Sequence, residues 1–542
     1  MSAEQDVAYA SAVSLLDLYR ERALSPVEVT RLLLDRLDAL QPQINAFCIV
    51  DHDGALAAAQ ESERRWHRGE ALGRLDGVPV TIKDLILTRG LPTLRGSRLV
   101  DPHQDWSEDA PATARLREAG AVILGKTTTP EFGWKALGDS PLTGITRNPW
   151  GLARTPGGSS AGAAAACAAG IGPLHVASDG AGSIRIPAAF TGLFGLKPSF
   201  GRVPAYPLSA MGLLAHLGPI ARTVGDTALM LNVLSAPDHR DPYALPPEDT
   251  DWRDGLEGGV HGWRIAYSPT LGYAKVDPEI TAAAAAAARQ FETLGAVVEE
   301  VGAIFTSPRE ALFTLWAAGA AKLLDAYPAD KRALVDPGLV ATAAEGERIS
   351  AVDYLGADLV RTALGQQMAE FHQKYDLLLT PMMPIPALPV GQDLNDPATE
   401  RHWLDWSPFS YPFNMTRQPA ASIPCGLTGS GLPIGLQIVG PLYADARVLR
   451  ALVGGAEQST FCAFVPRLLF VVQHIPVSGL AVRPTRQPIG PRLRDDPAGT
   501  ATAARPLIGY SERSSGSGSC SLRITCRVPL TGVPVTGRIP GG

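Results

Sequence analysis

Cysteine is scarce in this 542-residue sequence, and its spacing argues against the usual structural roles of that residue. The six cysteines are scattered along the chain, without a CxxC pair and without the Cys/His spacing of a zinc site. This pattern indicates neither a disulfide framework nor a structural metal centre. It favours a protein of the reduced cytoplasm.

A strong excess of charge is also missing. The 48 basic and 54 acidic residues give a formal net charge of −6, which provides no overall attraction to nucleic acid or to an anionic membrane. The first residues, MSAEQDVAYASAVSLLDLYRER, carry a charge every few positions and predict an amphipathic helix, not an export signal. The expected partner is therefore a small molecule.

The sequence has no long uninterrupted hydrophobic run. The most suggestive stretch, residues 461–482, is broken by two prolines, an arginine and a histidine, so we expect no membrane association. The breaks are Pro466, Arg467, His474 and Pro476. Residues 459–542 as a whole hold ten arginines, no lysine and half of the cysteines, with dense proline, glycine and serine. We expect this tail to be disordered, or to derive from a reading-frame change.

The rest of the chain alternates between helical and strand patterns. Ser25-Pro26-Val27-Glu28 combines an N-cap, a helix-starting proline and a capping-box glutamate, and predicts a helix to about Leu40. Short apolar runs predict strands at 78–82, 121–124, 263–267, 296–301, 376–380, 421–424 and 434–439. Further helices are predicted at 111–119, 277–294 and 444–457, with helical segments up to about residue 375. This alternation predicts an α/β protein.

The stretch Gly158-Ser159-Ser160-Ala161-Gly162 has the G-x-S-x-G spacing of a nucleophile elbow, with Ser160 as its nucleophile. An elbow needs an apolar strand before the serine, whereas residues 148–156 have the composition of a loop. Asp226 and His261 could complete a triad, but nothing in their surroundings singles out that pair. The sequence therefore disfavours an α/β-hydrolase.

A second motif, Gly120 to Thr127, fits the phosphate-loop spacing G-x-x-x-x-G-K-T. A phosphate loop needs flexible residues between its glycines, but the residues here themselves predict a strand. Pro130 also blocks a following helix. We interpret the segment as a buried strand that ends in a turn.

Three other segments resemble the amidase signature family of serine hydrolases in sequence, order and spacing. They are VTIKD around Lys83, GGSS at 157–160 and DGAGSIRIP at 179–187. The resemblance covers about residues 8–457, and includes GLKPS at 195–199, NMTRQPA at 414–420 and GLQ at 435–437. It implies a single large domain with a mixed β-sheet core covered by α-helices on both faces. We expect a catalytic domain at 71–458, with residues 1–70 as a helical region packed on it.

In this family a Ser–Ser–Lys triad hydrolyses amides through an acyl-enzyme. The resemblance assigns the nucleophile to Ser183, the bridging serine of a cis peptide to Ser159 and the base to Lys83, with Ser160 in support. A lysine is a base only when neutral, so its pKa must fall by about 3, a difference of about 4 kcal/mol that burial can supply. The hypothesis requires that Lys83 is buried, unpaired with any carboxylate and hydrogen-bonded to Ser159.

The resemblance also implies roles around the nucleophile. Four backbone N–H groups would form the oxyanion hole, those of Gly180, Ala181, Gly182 and Ser183. Asp179 and Arg185 would brace this loop, although an ordinary ion pair would explain them equally well. His175 is expected to be a buried polar residue with a satisfied partner. No metal or organic cofactor is implied.

This sequence departs from the family pattern at two small residues. Ala161 and Ala181 stand where the family usually has glycine, which puts the local backbone angles in doubt because alanine tolerates positive φ poorly. The identity of the catalytic atoms is unaffected. A homodimer is compatible with the resemblance.

The substrate is less well defined than the chemistry. The family includes acylamidases, arylamidases and the subunit that makes glutaminyl-tRNA by amidation in a complex, which typically carries Gln where Ile186 stands here. An apolar residue there favours small hydrophobic or aryl amides, with esters as side substrates. Phe132, Trp134 and Trp150 are candidates to line the pocket. Two alternatives stay open: a glutamine amidase that works in a complex, and an inactive binding or subunit protein.

Overall fold

The computed structural model describes residues 7–456, with side chains described to residue 453. The predicted capping box is present, because the Ser25 hydroxyl accepts the Glu28 N–H and the Glu28 carboxylate accepts the Ser25 N–H. The helix that it begins continues beyond the predicted end at Leu40 to Ile44. Pro42 is tolerated because it lies in the last turn, where it removes a single hydrogen bond.

The helices alternate with strands along most of the chain. The helices are Ala12–Arg20, Pro26–Ile44, His52–Arg68, Pro111–Glu118, Ala161–Ala168, Arg185–Thr191, Val224–Leu234, Pro278–Thr293, Arg309–Asp325, Pro337–Gly346, Ala351–Phe371, Pro412–Met415 and Asp445–Ala456. The strands are β1 (Phe47–Val50), β2 (Pro79–Lys83), β3 (Val122–Thr127), β4 (Asp139–Ser140), β5 (Gly144–Ile145), β6 (Leu174–Asp179), β7 (Phe194–Lys197), β8 (His216–Ala221), β9 (Arg264–Tyr267), β10 (Val297–Glu300), β11 (Leu377–Pro381), β12 (Ala420–Leu427) and β13 (Pro433–Val439).

One mixed sheet forms the centre of the fold. Within residues 7–456 it has eleven strands in the order β1-β3-β2-β6-β8-β7-β12-β13-β11-β9-β10. The neighbours β3, β2 and β6 run parallel, as do β11, β9 and β10, whereas the strands between β6 and β11 pair antiparallel. The short strands β4 and β5 form a separate antiparallel pair.

Both faces of the sheet are covered. Along β11, the side chains of Leu377 and Leu379 belong to one apolar cluster and Leu378 to another. Ile265 and Ala266 of β9 divide in the same way, as the two-residue period of a strand requires. The prediction of a single α/β domain with a mixed sheet between helical layers is confirmed.

All seven predicted strands are present, with bounds that differ by at most three residues. The helices predicted at 111–119, 277–294 and 444–457 are also present. The prediction omitted the sheet strands β1, β6, β7 and β8 and the two-residue strands β4 and β5. The phosphate-loop spacing falls on β3, whose six residues are all buried, so the interpretation of that segment as a buried strand is confirmed.

Several expectations concern features outside the helices and strands. Within residues 7–456 no helix combines the length and the apolar composition needed to cross a bilayer. Cys48, Cys167 and Cys425 are free in this part of the chain. The stretch 461–482 and the tail at 459–542 lie outside the described residues.

Candidate active site

The candidate residues meet where two parallel strands end. β2 ends at Lys83 and β6 at Asp179, and the two strands pair in register, with Ile82 beside Val176. Parallel neighbours present their carboxyl ends at the same edge of a sheet, so the residues after them are neighbours. The turn before the helix Ala161–Ala168 reaches the same edge, because the Ser160 N–H donates to the Ser183 carbonyl at 3.2 Å.

Lys83 lies at the centre of three serine hydroxyls. Its Nζ is 2.7 Å from Ser159 Oγ, 2.9 Å from Ser160 Oγ and 2.9 Å from Ser178 Oγ. The lysine is fully buried, and within the described chain it pairs with no carboxylate. The burial, the absence of an ion pair and the contact with Ser159 that the hypothesis requires are all present.

The electrostatic setting favours a neutral amine at this position. Burial lowers the pKa of Lys83 well below its ordinary value, and the charge of Asp179 opposes that effect only in part. Asp179 is itself neutralised by Arg185, with which it forms a buried ion pair. An uncharged Lys83 can accept a proton, which a charged ammonium cannot.

Ser159 and Ser160, which are adjacent in the turn before the helix Ala161–Ala168, have different surroundings. The Gly158–Ser159 peptide bond is cis, and Ser159 contacts Lys83 while lining a cavity. Ser160 precedes the helix Ala161–Ala168, and its hydroxyl donates to the main-chain oxygen of Ser178 at 3.1 Å. The nucleophile-elbow alternative has no support, since neither Asp226 nor His261 contacts Ser160: the Asp226 carboxylate accepts the Val13 N–H and His261 is exposed.

Ser183 follows a loop that turns sharply after β6. Gly182 has φ +125°, a conformation that only glycine adopts without strain. The Ser183 hydroxyl makes no hydrogen bond within residues 7–456, and Ser183 lines the same cavity as Ser159. The structure therefore brings the two serines to one cavity without a hydrogen bond between their side chains.

The carboxylate of Asp179 organises the loop around Ser183. It accepts the N–H groups of Gly182 at 2.6 Å and Ile184 at 3.1 Å. The Gly182 N–H is therefore engaged, which corrects its assignment to the oxyanion hole. The described chain contains no acceptor for the N–H groups of Gly180, Ala181 and Ser183, which remain candidates.

Arg185 fixes the other side of this carboxylate. Its Nε and Nη2 each lie 3.0 Å from an oxygen of Asp179, a bidentate pair that is fully buried. Burial alone would raise the pKa of Asp179, but the Arg185 guanidinium holds it below its usual range. Arg185 also donates to Asn414 Oδ1 at 2.6 Å and Gln437 Oε1 at 2.7 Å. Asn414 of the NMTRQPA motif and Gln437 of the GLQ motif thus fix the position of Arg185, which in turn fixes the loop that carries Ser183.

The backbone angles of Ala161 and Ala181 are ones that alanine adopts readily. Neither Ala161 nor Ala181 has positive φ, so the family's glycines are not needed at these positions. His175 is buried between Thr81 Oγ1 at 2.8 Å and the Gly172 carbonyl at 3.2 Å. The prediction of a satisfied, buried histidine is confirmed, and burial lowers the pKa of His175 to about 3.

A largely apolar cavity of about 170 Å³ opens above the serines. Phe132 lines it, as predicted, together with side chains that the sequence did not single out. The large apolar and aromatic side chains among them include Trp316, Tyr206, Leu208, Met211 and Leu323. Arg95 and Asp241 contribute charged groups to its wall.

Three predicted specificity residues are not among the described lining of this cavity. Trp134 is packed in the core against Gly338, and Trp150 donates its indole N–H to the Thr191 carbonyl at 2.8 Å. The prediction that these two tryptophans line the pocket is wrong. Ile186 is fully buried beneath the loop, so it does not select the substrate by contact.

Ser178 and the pair Asn414–Gln437 are the site residues that sequence reasoning missed. Ser178 lies in the strand β6, which the sequence did not reveal, five positions before Ser183. Asn414 and Gln437 were noted only as parts of motifs. Their contacts with Arg185 span 229 and 252 positions of sequence, which no local pattern can disclose.

Comparisons with known proteins agree with this geometry. Residues 28–449 match the family model Amidase. An acylamidase of Rhodococcus erythropolis is 40% identical over 456 residues, which cover 82% of this chain and 95% of the relative. A glutamyl-tRNA(Gln) amidotransferase subunit of Geobacter metallireducens is 34% identical over 476 residues, 82% of this chain and 96% of that one.

A solved structure is similar along nearly the whole described chain. It is a bacterial aryl acylamidase of the amidase signature family, with a TM-score of 0.81 and 31% identity. The similarity covers 86% of this chain and 99% of that protein. Taken with the family-model match and the site, these similarities show that the chain belongs to the amidase signature family.

Proposed function

We propose that this protein is an amidase that hydrolyses small hydrophobic or aryl amides to a carboxylic acid and an amine. The observation that carries the proposal is the buried, unpaired Lys83 within 2.7 Å of Ser159, at the base of a cavity that Ser183 also lines. The similarity to an acylamidase of Rhodococcus erythropolis and to a bacterial aryl acylamidase supports the substrate class.

The hydrogen bonds favour a particular direction of proton transfer. A neutral lysine has two N–H donors and one lone pair. The Ser160 hydroxyl donates to a carbonyl oxygen, so towards Lys83 it can only accept. If Ser160 and Ser178 accept the two N–H groups, the lone pair of Nζ faces the Ser159 hydroxyl. Ser159 then gives its proton to Lys83 and can take one from Ser183.

The first half of the reaction follows from that arrangement. Ser183 Oγ attacks the amide carbonyl carbon, while its proton passes through Ser159 to Lys83. The carbonyl oxygen becomes an oxyanion, stabilised by free N–H groups among Gly180, Ala181 and Ser183. Collapse of this intermediate breaks the C–N bond, and the amine leaves with the proton that returns from Lys83 through Ser159.

The second half restores the enzyme. Water attacks the acyl group on Ser183, and its proton takes the same route to Lys83. The ester bond to Ser183 Oγ breaks as that oxygen regains a proton, and the carboxylic acid is released. Asp179 and Arg185 keep the loop in position throughout and exchange no proton, because the buried arginine holds the carboxylate ionised.

A panel of amides tests the substrate class. We expect anilides and medium-chain fatty amides to be hydrolysed by the purified chain alone, with esters as slower or side substrates. A second candidate is a glutamine amidase that works in a complex, which the 34% identity to a glutamyl-tRNA(Gln) amidotransferase subunit favours. Release of ammonia from glutamine only with partner subunits, without turnover of any anilide or fatty amide, would overturn the amidase proposal.

The proposal also includes the protein's cellular location and its oligomeric state. The free Cys48, Cys167 and Cys425 support a location in the reduced cytoplasm. Exposed apolar side chains on the helix Ala351–Phe371, among them Val352 and Leu359, support a homodimer. Sedimentation equilibrium tests the second statement, and a monomer at all concentrations would contradict it.

A further inference from the structure

The wall of the candidate active-site cavity contains one cation without a partner. Of the described residues that line this cavity, Arg95 is the one lysine or arginine, and Asp241 is the one carboxylate. The Asp241 side chain is engaged, because it accepts the N–H groups of Ala205 and Tyr243 at 2.8 Å each. The guanidinium of Arg95 makes no hydrogen bond or ion pair within the described chain. A largely apolar wall thus offers one free positive charge.

The backbone around Arg95 is held from both sides. The Asp84 carboxylate accepts the N–H groups of Leu94 at 3.0 Å and Gly96 at 3.2 Å. The Arg95 carbonyl accepts the Phe132 N–H at 2.7 Å. Arg95 itself has φ +58°, a left-handed conformation that costs a non-glycine residue free energy and persists only where surrounding contacts maintain it. The loop therefore presents Arg95 in one defined backbone conformation.

These contacts also bring Arg95 close to the candidate catalytic residues. Gly133 follows Phe132, and it approaches Ser159 so closely that an added Cβ would lie 3.1 Å from the Ser159 hydroxyl oxygen. The Arg95 backbone is therefore one hydrogen bond and one residue away from a residue that touches Ser159. Arg95, Gly133 and Ser159 all line the same cavity. A substrate bound at the serines is thus within the neighbourhood of Arg95.

The guanidinium of Arg95 lies beside partly exposed aromatic side chains. Arg95 and Tyr327 are both half-buried, and the Tyr327 ring is 5.5 Å from that of Phe132. Burial raises the pKa of Tyr327 and the charge of Arg95 acts in the opposite direction, so the guanidinium is near that phenol. Phe132 and Leu323, four positions before Tyr327, both line the cavity. An anion bound there keeps some contact with water, which reduces the cost of desolvating it.

We propose that Arg95 binds a carboxylate of the substrate, and that the amides preferred by this site carry such a group remote from the bond that is cleaved. This binding role rests on the proposed amidase function and narrows its substrate class to acyl or aryl amides with an acidic group. A guanidinium pairs with a carboxylate through two parallel N–H···O bonds, which a neutral substituent cannot reproduce. The apolar wall, including Phe132 and Trp316, contacts the hydrocarbon between the two polar ends.

Paired substrates that differ in one charge test the proposal on the full-length chain. For a carboxylate on the amine side, 4-acetamidobenzoate is compared with 4-methylacetanilide. For a carboxylate on the acyl side, N-phenylglutaramate is compared with hexananilide. We expect kcat/KM to be about tenfold higher for the charged member of at least one pair. In Arg95→Gln that ratio should fall to about 1, whereas Arg95→Lys should keep part of it because the positive charge remains.

Arg98→Gln is the matched control for these ratios. Arg98 is an exposed arginine three positions further along the chain and is not among the described lining of the cavity, so its replacement should keep the wild-type ratio. Each ratio compares two substrates on one variant, so a general loss of folding or activity cancels. Equal kcat/KM within both pairs, or a ratio that survives in Arg95→Gln, would overturn the role of Arg95 while amide hydrolysis itself stands.

Calorimetric titration of Ser183→Ala separates the role of Arg95 from the proposed function. Without the candidate nucleophile the amides bind without turnover, and we expect the charged member of a pair to bind about tenfold more tightly. Addition of Arg95→Gln should remove that difference. If the wild type hydrolyses no amide but the difference persists, the proposed function is wrong and the binding role stands. If none of the four amides binds, or charged and neutral members bind equally, the binding role is overturned.

Discussion

Asn414 and Asp179 lie 235 positions apart in the chain, and the Asn414 side-chain amide donates at 2.9 Å to both the main-chain carbonyl and the carboxylate of Asp179. The same asparagine accepts from Arg185 through its Oδ1. The last third of the chain therefore fixes the loop that carries Ser183. Within the described chain the Asn414 side chain makes no hydrogen bond to Lys83, Ser159 or Ser183, so we expect it to act as a positioning residue.

Replacement of Asn414 tests this positioning role. Asn414→Ala is expected to lower kcat about a hundredfold with little change in KM, because a loop displaced by about 1 Å no longer aligns the nucleophile. Loss of buried hydrogen bonds should also cost about 2 kcal/mol of stability. Asn232→Ala is a matched control, since Asn232 donates to Asp251 away from the site. A similar loss of kcat in both variants would contradict the specific role of Asn414.

The pH dependence of amide hydrolysis follows from the burial of Lys83. A base acts when unprotonated, so kcat/KM should rise with pH as Lys83 loses its proton. Because burial lowers the pKa of Lys83 well below its ordinary value, activity should reach its plateau before the pH reaches about 10, near the ordinary pKa of a lysine. Lys83→Met is expected to reduce kcat about a thousandfold, in the range for loss of a general base.

A second buried lysine provides the comparison. Burial lowers the pKa of Lys126 to about 8, yet Lys126 contacts Thr88, Thr93 and the Ile86 carbonyl and none of the serines. The rising limb of the pH profile should therefore persist in Lys126→Met. Its disappearance in that variant, with retention in Lys83→Met, would assign the base to Lys126.

We expect His175 to make the fold sensitive to acid. Its pKa is lowered to about 3 by burial, whereas an unfolded histidine has a pKa of about 6.5. Between these values the unfolded chain binds the additional proton, so stability falls as the pH falls, by up to about 1.4 kcal/mol per pH unit. Urea unfolding of His175→Gln at pH 7 and pH 5 should show a smaller loss than the wild type. The exposed His261→Gln should behave like the wild type.

Trp316 is the side chain most suited to select aryl substrates. It is nearly fully buried, lines the cavity and contacts Gly180 at the start of the oxyanion loop. Trp316→Ala should raise KM for anilides about tenfold while changing KM for acetamide less, with about 3 kcal/mol of stability lost. Trp150→Ala, a core tryptophan, should lose stability without a change in substrate preference. An equal effect of both on KM would contradict the assignment.

Sequence reasoning predicted the parts of this molecule that local patterns encode. Strands such as β11 and β13 are short apolar runs, and they are found within a few residues of their predicted bounds. β6 was missed because LHVASD mixes polar residues into a buried strand, whose His175 and Asp179 are satisfied by partners distant in sequence. A local hydropathy pattern cannot reveal partners that are distant in sequence.

The same distinction, between what local patterns encode and what depends on tertiary structure, applies to the site residues. Motifs predict Lys83, Ser159 and Ser183 as site residues, and in the structure Ser159 and Ser183 line one cavity while Lys83 contacts Ser159. The lining tryptophan could not be distinguished by sequence, because Trp134, Trp150 and Trp316 are all buried and differ only in tertiary position. The engagement of the Gly182 N–H with Asp179 likewise depends on the geometry of the turn.

The central claim is that Ser183, and not Ser160, is the nucleophile served by Ser159 and Lys83. Labelling with a serine-directed fluorophosphonate probe, followed by mass spectrometry of the modified peptide, measures this directly. We predict an adduct on Ser183 that is lost in Ser183→Ala, greatly slowed in Lys83→Met and retained in Ser160→Ala. An adduct on Ser160, or labelling that persists in Ser183→Ala and disappears in Ser160→Ala, would contradict it.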